Sequence, residues 1–270
     1  MSSTTPSGHP PSGYVSAAYL ERMALLGESI KQTNHQRMNI QHGDCVLDLG
    51  CGPGIDTLAL AQWVGPQGRV VGVDSDPEMV AAAHAKATEM GLDTHVEHHL
   101  GRAEQLAFGD GTFASSHAER LLQVLPSELA SRVVAELKRV TRAGGRVVLA
   151  DTDWGSLSIN SRNSTLERRL VQFFAEQLRP NGYAGRQLFS LMRTAGFIDV
   201  DIHIEPLIHT TLDAVPLAWL YKEAKQGEHK LGNLATPTEL DDWWHEVQSA
   251  NENGTFFCTV NMVVVTGDVP

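Results

Sequence analysis

The sequence predicts an α/β fold, in which a doubly wound, parallel sheet carries helical lid additions at its ligand-binding edge. Short β-branched runs alternate with longer helical stretches after residue 44, which is the pattern of such a sheet. The first run leads directly into a glycine-rich turn, VLDLGCGPG at residues 46–54. At 270 residues the chain is long enough to bury a sizeable core without disulfides.

The local sequence pattern places each element in order. Strands are expected at Cys45–Leu49, Arg69–Asp74, His95–Leu100, Phe113–His117, Gly145–Asp151, Ile198–Glu205 and residues 255–267. Helices are expected at Gly54–Trp63, Pro77–Met90, Glu128–Thr141, Ser164–Leu178 and Arg186–Ala195. The RAGG segment at 142–145 ends a helix and starts a strand.

Five segments organise the chain. We expect a disordered leader (1–13), N-terminal lid helices (14–43), a ligand-binding core (44–206), a helical lid insertion (207–253) and the final strand of the core sheet (254–270). The insertion contains TPTE at 236–239, a capping box with a proline at the first helical position. Ligands of this fold bind outside the carboxyl ends of the strands, so helices placed there would cover the cleft.

Charge and composition limit the partners. The formal net charge of −11 argues against nucleic acid or an anionic membrane surface as a partner. No run of about 18 apolar residues occurs, so we expect no membrane insertion. Three scattered cysteines suit a reducing compartment, and we expect a cytoplasmic protein. These properties favour a small-molecule substrate.

Two acids beside the glycine turn distinguish two kinds of cofactor. A dinucleotide motif needs a third glycine that is missing here, and Asp48 at the end of the first strand would repel a pyrophosphate. S-adenosylmethionine has no phosphate and carries positive charge, so Asp48 suits its methionine end and Asp74 suits its ribose diol. The pattern favours S-adenosylmethionine, and a nicotinamide dinucleotide remains the alternative.

Four segments carry a family resemblance: VLDLGCGPG, VVGVDSDPEMV, GRAEQLAFGDGTF and ERLLQVLPSELASRVVAELKRVTRAGGRVVLAD. Through them, residues 44–200 resemble the class I S-adenosylmethionine-dependent methyltransferases, in particular the group similar to the quinone-methylating enzymes. The resemblance implies a seven-stranded, mostly parallel, Rossmann-like sheet with an antiparallel final strand. It also implies S-adenosylhomocysteine as the product of the cofactor.

The resemblance implies a position for each part of the cofactor. The three glycines of the turn would line the methionine moiety, Asp74 would hold the ribose, and His117 would lie beside the methyl group. Arg102 stands where the family often has an Asp that accepts a hydrogen bond from the adenine. Arginine has only donors and cannot make that bond. Either backbone groups and Glu104 bind the adenine, or Arg102 stacks on it. The expected cofactor-binding residues are Asp48, Gly50, Cys51, Gly52, Gly54, Asp74, Ser75, Met79, Arg102, Ala103, Glu104 and His117.

Three side chains near strand ends are candidates for catalysis: His117, Glu119 and Asp153. A general base is needed only if the nucleophile arrives protonated. The alternatives are that His117 forms a wall of the cofactor site or caps a helix, that Glu119 caps the following helix, and that DTDWG at 151–155 is a strand-end turn.

Two segments also allow a metal-binding interpretation. DTDWG offers a pair of carboxylates, and His95, Glu97 and His99 share one face of a strand. The family resemblance contains the first segment without a metal, and polar residues are ordinary on a strand near a sheet edge. We therefore expect no metal.

Aromatic side chains outside the cofactor motifs indicate an apolar or aromatic acceptor that stacks, or else fill the core between lid and sheet. The predicted function is methyl transfer from S-adenosylmethionine to oxygen or nitrogen of a small, aromatic or amphipathic metabolite. The alternatives are carbon methylation of a quinone-like or lipid acceptor, and a protein that binds the cofactor without transferring methyl. A homodimer through an edge strand or a lid helix is compatible with the pattern. The expected substrate pocket consists of Tyr14, Tyr19, Trp154, Tyr183, Tyr221 and Trp243.

Overall fold

A seven-stranded sheet forms the centre of the computed structural model, which describes residues 28–226 and 235–270. The strand order is β3-β2-β1-β4-β5-β7-β6, with β1 to β5 parallel and β7 antiparallel to both β5 and β6. This order confirms the expected mostly parallel sheet with an antiparallel final strand. The strands are β1 (Cys45–Leu49), β2 (Arg69–Asp74), β3 (Val96–Leu100), β4 (Phe113–Glu119), β5 (Thr141–Ile159), β6 (Ile198–His209) and β7 (Cys258–Asp268).

Helices cover both faces of the sheet, because successive side chains of a buried strand point to opposite faces. The described α-helices are α1 (Glu28–Arg37), α2 (Ile55–Val64), α3 (Pro77–Glu89), α4 (Ala130–Val140), α5 (Ser164–Phe173, continued by a π-helical turn at Phe174–Leu178), α6 (Ala184–Thr194), α7 (Leu217–Gln226) and α8 (Pro237–Glu252). Val46 packs with residues of α2 and α3 on the first face, whereas Leu47 packs with residues of α4 and α6 on the second.

The caps explain two of the helix starts. The Asp76 side chain accepts a hydrogen bond from the Glu78 N–H at the start of α3, and Pro77 follows it. The capping box expected in TPTE is present at α8, where the side chains of Thr236 and Glu239 bond each other's backbone N–H.

The three strands at one side of the sheet extend far beyond the parallel strands. Ala150 is the last residue of β5 that pairs with β4. From there β5 continues to Ile159, which pairs with β7. The expected strand at Gly145–Asp151 was therefore too short, and DTDWG lies inside β5 rather than in a strand-end turn. Each face of the sheet carries one apolar core. Residues of α5, α7 and α8 pack on this extension and form a third core. We call the extended part of β5, β6 and β7 the sheet extension.

The boundaries of the additions shift accordingly. β6 runs to His209, so the helical insertion begins after that residue rather than at residue 207. The expected leader, Tyr14 and Tyr19 lie outside the described residues. Within 28–226 and 235–270, no helix is both long enough and apolar enough to cross a membrane.

Candidate active site

The glycine turn after β1 is held tightly against its surroundings. Gly50 and Gly54 have φ of 79° and 85°, a region that strains other residues. A Cβ atom at Gly50 would lie 3.0 Å from Leu121 Cδ1, and one at Gly54 would lie 2.8 Å from Ala83 Cβ. The Gly50 N–H donates to the Val73 carbonyl at 2.7 Å, which ties the turn to the end of β2. At both positions a side chain would meet its neighbours at once, so glycine allows the turn to pack closely against them.

Asp74 links the glycine turn to the start of α3. Its Oδ2 accepts the Gly52 N–H and its Oδ1 accepts the Asp76 N–H, each at 2.9 Å. Each carboxylate oxygen has two lone pairs, so both oxygens retain a site for a further donor. Asp74 is half-buried, with exposed Ser75 next to it and buried Met79 in the first turn of α3. An oriented carboxylate of this kind fits a diol.

The segment after β3 contains the residues expected near an adenine. Arg102 Nε donates to Glu104 Oε1 at 2.7 Å, and the Arg102 side chain is 74 % exposed. Ala103 between them is buried. Arg102 and Glu104 therefore neutralise each other, and no ring lies against the Arg102 guanidinium in the described part of the chain.

Asp48 and His117 form a buried pair on neighbouring strands. Asp48 Oδ1 lies 3.2 Å from His117 Nδ1, and the two residues are 2 % and 0 % exposed. Burial raises the pKa of Asp48; burial alone would lower the pKa of His117, but the hydrogen bond and charge of Asp48 raise it. Asp48 Oδ2 and His117 Nε2 have no hydrogen-bond partner among the described residues. Each residue keeps one buried polar atom for a ligand or water.

A second charged group lies beside this pair, and we call it the lysine cluster: Lys31, His35, Asp56 and Glu119. Lys31 Nζ lies 2.6 Å from Asp56 and 2.8 Å from Glu119, and His35 Nε2 lies 3.0 Å from Asp56. Burial alone would lower the pKa of Lys31, but the charges of Glu119 and Asp56 outweigh it and raise this pKa. The His35 ring meets His117 edge to face at 5.7 Å. Two carboxylates against one ammonium give this region an excess of negative charge.

Glu119 pairs with Lys31 in the lysine cluster. The alternative that Glu119 caps the following helix was wrong. The first N–H groups of the turn after β4, those of Leu122 and Gln123, donate to Asp151 at 2.7 and 3.3 Å instead. Burial raises the pKa of Asp151 to about 7, against the effect of these backbone bonds. Sequence reasoning missed Lys31 and Asp56; the available signal was the polar sequence of α1, which contains a single large apolar residue.

The three catalytic candidates do not lie together. Asp153 follows Val147 and Leu149 on the second face of β5, and Arg186 of α6 donates to both of its oxygens at 2.9 and 3.0 Å. His117 and Glu119 lie on the first face, against α1. The structure therefore separates Asp153 from the other two, because the sheet stands between them.

Aromatic side chains meet on the sheet extension. Trp154 and Trp219 each pack edge to face on Phe174, with centroid distances of 5.0 and 5.6 Å. The Arg179 guanidinium lies 4.6 Å from the Trp154 ring centre and 5.3 Å from that of Trp219. Trp154 Nε1 donates to Gln123 Oε1 at 2.5 Å, so this group is connected to the turn after β4. We call Trp154, Phe174 and Trp219 the aromatic cluster.

The other expected pocket residues have different surroundings. Tyr183 donates to Glu176 at 2.9 Å, and Tyr221 stacks on Trp244 at 4.9 Å. Trp243 is 2 % exposed and belongs to the third core, and its expected place in a substrate pocket stays a prediction. The aromatic alternative, that lid rings fill a core, holds for Trp243 because α8 packs its apolar side on the sheet extension.

The metal-binding interpretations can be compared with the side-chain geometry. Among the described residues, no group of three or more His, Cys, Asp or Glu side chains is arranged to hold a metal ion. Asp151 and Asp153 accept from backbone N–H groups and from Arg186, respectively. Glu97 and His99 contact each other at 3.1 Å on the exposed edge of the sheet.

Comparisons with known proteins give a consistent result. Residues 46–145 match the family model described as a methyltransferase domain. The chain is 32% identical over 260 residues to an uncharacterized 37.1 kDa protein in transposon TN4556 of Streptomyces fradiae, covering 92% of this chain and 70% of that protein. It is 31% identical over 181 residues to a demethylmenaquinone methyltransferase of Geobacillus stearothermophilus, covering 62% and 76%.

A solved structure shows the same fold. A candidate methyltransferase from Bacillus halodurans C-125 superposes with a TM-score of 0.63 at 20% identity, covering 90% of this chain and 99% of the other. At this identity the likeness concerns the fold alone. It agrees with the sheet order and the flanking helices described above.

Proposed function

Because this chain belongs to the class I S-adenosylmethionine-dependent methyltransferases, we propose that it methylates an oxygen or nitrogen atom of a small, aromatic or amphipathic metabolite. The chain is a methyltransferase whose cofactor is S-adenosylmethionine and whose cofactor product is S-adenosylhomocysteine. When bound, S-adenosylmethionine supplies a methyl group on a positively charged sulfur. The protein must align the acceptor and exclude water.

The residues around the glycine turn would hold the cofactor. Asp74 would accept from the ribose hydroxyls, and the turn backbone at Gly50, Gly52 and Gly54 would contact the methionine part. Two observations support this assignment: the oriented Asp74 carboxylate and the excess negative charge of the lysine cluster near the turn. Negative charge in a partly buried site favours a sulfonium and an ammonium over a pyrophosphate.

Positioning is the role expected of Glu119 and Asp153, which pair with Lys31 and Arg186, respectively. His117 differs, because its Nδ1 bonds Asp48 while its Nε2 has no partner among the described residues. We infer that the acceptor atom either is already nucleophilic near neutral pH, as an aromatic amine or an acidic hydroxyl is, or gives its proton to His117 Nε2.

The aromatic cluster is the observation that carries the acceptor class. Its rings lie on the sheet extension, at the carboxyl side of β4 and β5, where this fold binds ligands. The Trp154–Gln123 bond joins the cluster to the turn that follows Glu119. Trp154 and Trp219 are half-buried, and the ring surface that they leave exposed beside a polar strand end suits an acceptor with an aromatic or apolar body.

Carbon methylation of a quinone-like or lipid acceptor is the second candidate. The observation that favours it is the 31% identity to the demethylmenaquinone methyltransferase of Geobacillus stearothermophilus. Both candidates use the same cofactor site, and they differ in the atom that receives the methyl group.

A transfer assay tests the proposal. The protein is incubated with methyl-labelled S-adenosylmethionine and a bacterial metabolite extract, and mass spectrometry locates the label. A small product labelled on oxygen or nitrogen supports the proposal, whereas a label on carbon supports the second candidate. Protein that binds S-adenosylhomocysteine but labels no small molecule would contradict both. The Asp74→Asn variant serves as the control for transfer that depends on the cofactor site.

A further inference from the structure

Arg120, directly after β4, has an unusual backbone and an unusual side chain. Its φ is 54°, a left-handed conformation that costs energy for a residue with a Cβ. The Arg120 N–H donates to the Ala150 carbonyl at 2.7 Å, and its own carbonyl accepts from Gln123 Nε2 at 3.4 Å. Strain of this kind is found where the surroundings fix a residue for a function.

The Arg120 guanidinium has no acceptor in the described part of the chain. Its Nε is fully buried without a hydrogen-bond partner, and the side chain makes no ion pair with a described residue. The charge of Arg120 opposes the effect of burial on the pKa of Glu119 and of Asp151, but the hydrogen bonds of these acids go elsewhere: Glu119 binds Lys31, and Asp151 accepts three backbone N–H groups. A buried Nε–H without an acceptor is costly unless a ligand or water supplies one.

The side chain lies on the acceptor side of the molecule. Arg120 directly follows β4, and its N–H bonds Ala150 of β5, so the residue lies at the carboxyl ends of these strands, where β5 continues into the sheet extension. Burial, and then the charge of Arg120, lower the pKa of His209 at the end of β6, which agrees with this place. Gln123 connects the backbone of Arg120 to Trp154 of the aromatic cluster.

We propose that Arg120 binds an anionic oxygen group of the methyl acceptor, a carboxylate or a phosphate, while the half-buried Trp154 contacts the apolar body of that acceptor. The planar fork of arginine matches both groups with two parallel hydrogen bonds. The protein as a whole is negatively charged, so an anionic acceptor needs a local cation to be held. This inference rests on the proposed function, because it assigns the substrate class of the same site.

Calorimetry on the full chain saturated with S-adenosylhomocysteine tests the inference. The probes are 1-naphthoate, 1-naphthyl phosphate and the neutral 1-naphthalenemethanol. We expect one or both anions to bind more tightly than the neutral probe, and the stronger anion identifies the source of the negative charge. In Arg120→Gln, anion binding should weaken about 10- to 100-fold while the neutral probe is unaffected. Arg120→Lys should retain part of the anion affinity.

The control is Arg142→Gln, which removes an exposed guanidinium paired with Asp44 and should leave every affinity unchanged. Thermal unfolding gives a separate measurement: an anionic probe should raise the melting temperature of the wild type more than that of Arg120→Gln, whereas a purely structural role would lower the melting temperature of the variant and leave this rise unchanged. Equal binding of the anions and the neutral probe, or anion binding unaffected in Arg120→Gln, overturns the inference. Failure of the wild type to bind S-adenosylhomocysteine would instead contradict the proposed function.

Discussion

The proposed cofactor side, around the glycine turn, and the proposed acceptor side, on the sheet extension, are held together by different forces. Around the glycine turn, the lysine cluster and the Asp48–His117 pair place charged groups in the interior, each held by a specific partner. On the sheet extension, the third core and the aromatic cluster pack apolar rings and aliphatic side chains. Buried charges depend on their partners, whereas apolar packing depends on area and shape. The two sides should therefore respond to different substitutions.

The largest effect is expected at Lys31. In Lys31→Met, Asp56 and Glu119 lose their common cation while remaining buried, which should lower the free energy of unfolding by about 3–5 kcal/mol. Arg37→Met is the matched control on the same helix, because Arg37 pairs with the more exposed Glu205 and should lose less than about 1 kcal/mol. Urea unfolding measures both variants. If both variants lose the same free energy of unfolding, the lysine cluster stabilises the fold no more than the Arg37–Glu205 pair does.

The next effect concerns cofactor binding. Asp74→Asn replaces two acceptor oxygens by one and should weaken S-adenosylhomocysteine binding about 10- to 100-fold, as for a lost hydrogen bond to a charged group. Asp76→Asn is the control two residues away: it changes the cap of α3 and should leave the affinity unchanged. Calorimetry measures both. If the two variants bind the cofactor product equally, Asp74 does not hold the ribose.

A smaller effect is expected on the acceptor side. Trp154→Phe keeps an aromatic ring but removes the N–H that Gln123 Oε1 accepts, and should cost about 1 kcal/mol of unfolding free energy. The affinity for S-adenosylhomocysteine should not change, because the aromatic cluster is apart from the glycine turn. A weaker affinity in this variant would show that the two sides are coupled more closely than their contacts indicate.

A further effect is a pH dependence at His98, beneath the glycine turn. Burial lowers the pKa of His98 from 6.5 to about 4, and its Nε2 lies 2.8 Å from Thr57 Oγ1. Between these values the unfolded chain binds the proton more readily, so His98 should reduce stability as the pH falls from 6.5 to about 4. Urea unfolding at several pH values gives the free energy of unfolding as a function of pH. The slope of this function should be shallower in His98→Gln than in the wild type. An unchanged slope would mean that His98 is not buried in solution.

The sequence predicted the parallel half of the sheet well because its signals are local. The expected strands at Cys45–Leu49 and Arg69–Asp74 are confirmed without a shift in either bound, since each is a short apolar run between turn residues. The length of β5 was not predictable in this way. Its upper part is polar and aromatic, and it is a strand because β7, far away in the chain, pairs with it.

The site shows the same contrast. Asp48, the glycines and Asp74 could be assigned from one motif and its spacing, although their binding roles stay proposals. The partners of Glu119 and Asp153 could not, because Lys31 and Arg186 lie far from them in the chain and meet them only after the helices dock. Alternation along the strands would have shown that Asp153 and His117 lie on opposite faces, had the strand bounds been known.

Several expectations from the sequence stay predictions. These are the exclusion of nucleic acid, the cytoplasmic location and a homodimer. β6 forms one edge of the sheet and exposes Ile202, Ile204 and Ile208 there. Sedimentation of the protein at increasing concentration would decide whether two copies associate.

The most direct test of the account is a pair of titrations followed by the structure of the complex. We propose that the cofactor side holds a ligand that is cationic at one end and a ribose at the other, so S-adenosylhomocysteine should bind and a nicotinamide dinucleotide should not. In the complex, the ribose hydroxyls should donate to Asp74 and the amino acid part should lie against residues 50–54. A dinucleotide that binds with its phosphates against that turn, or a complex whose ribose lies away from Asp74, would contradict it.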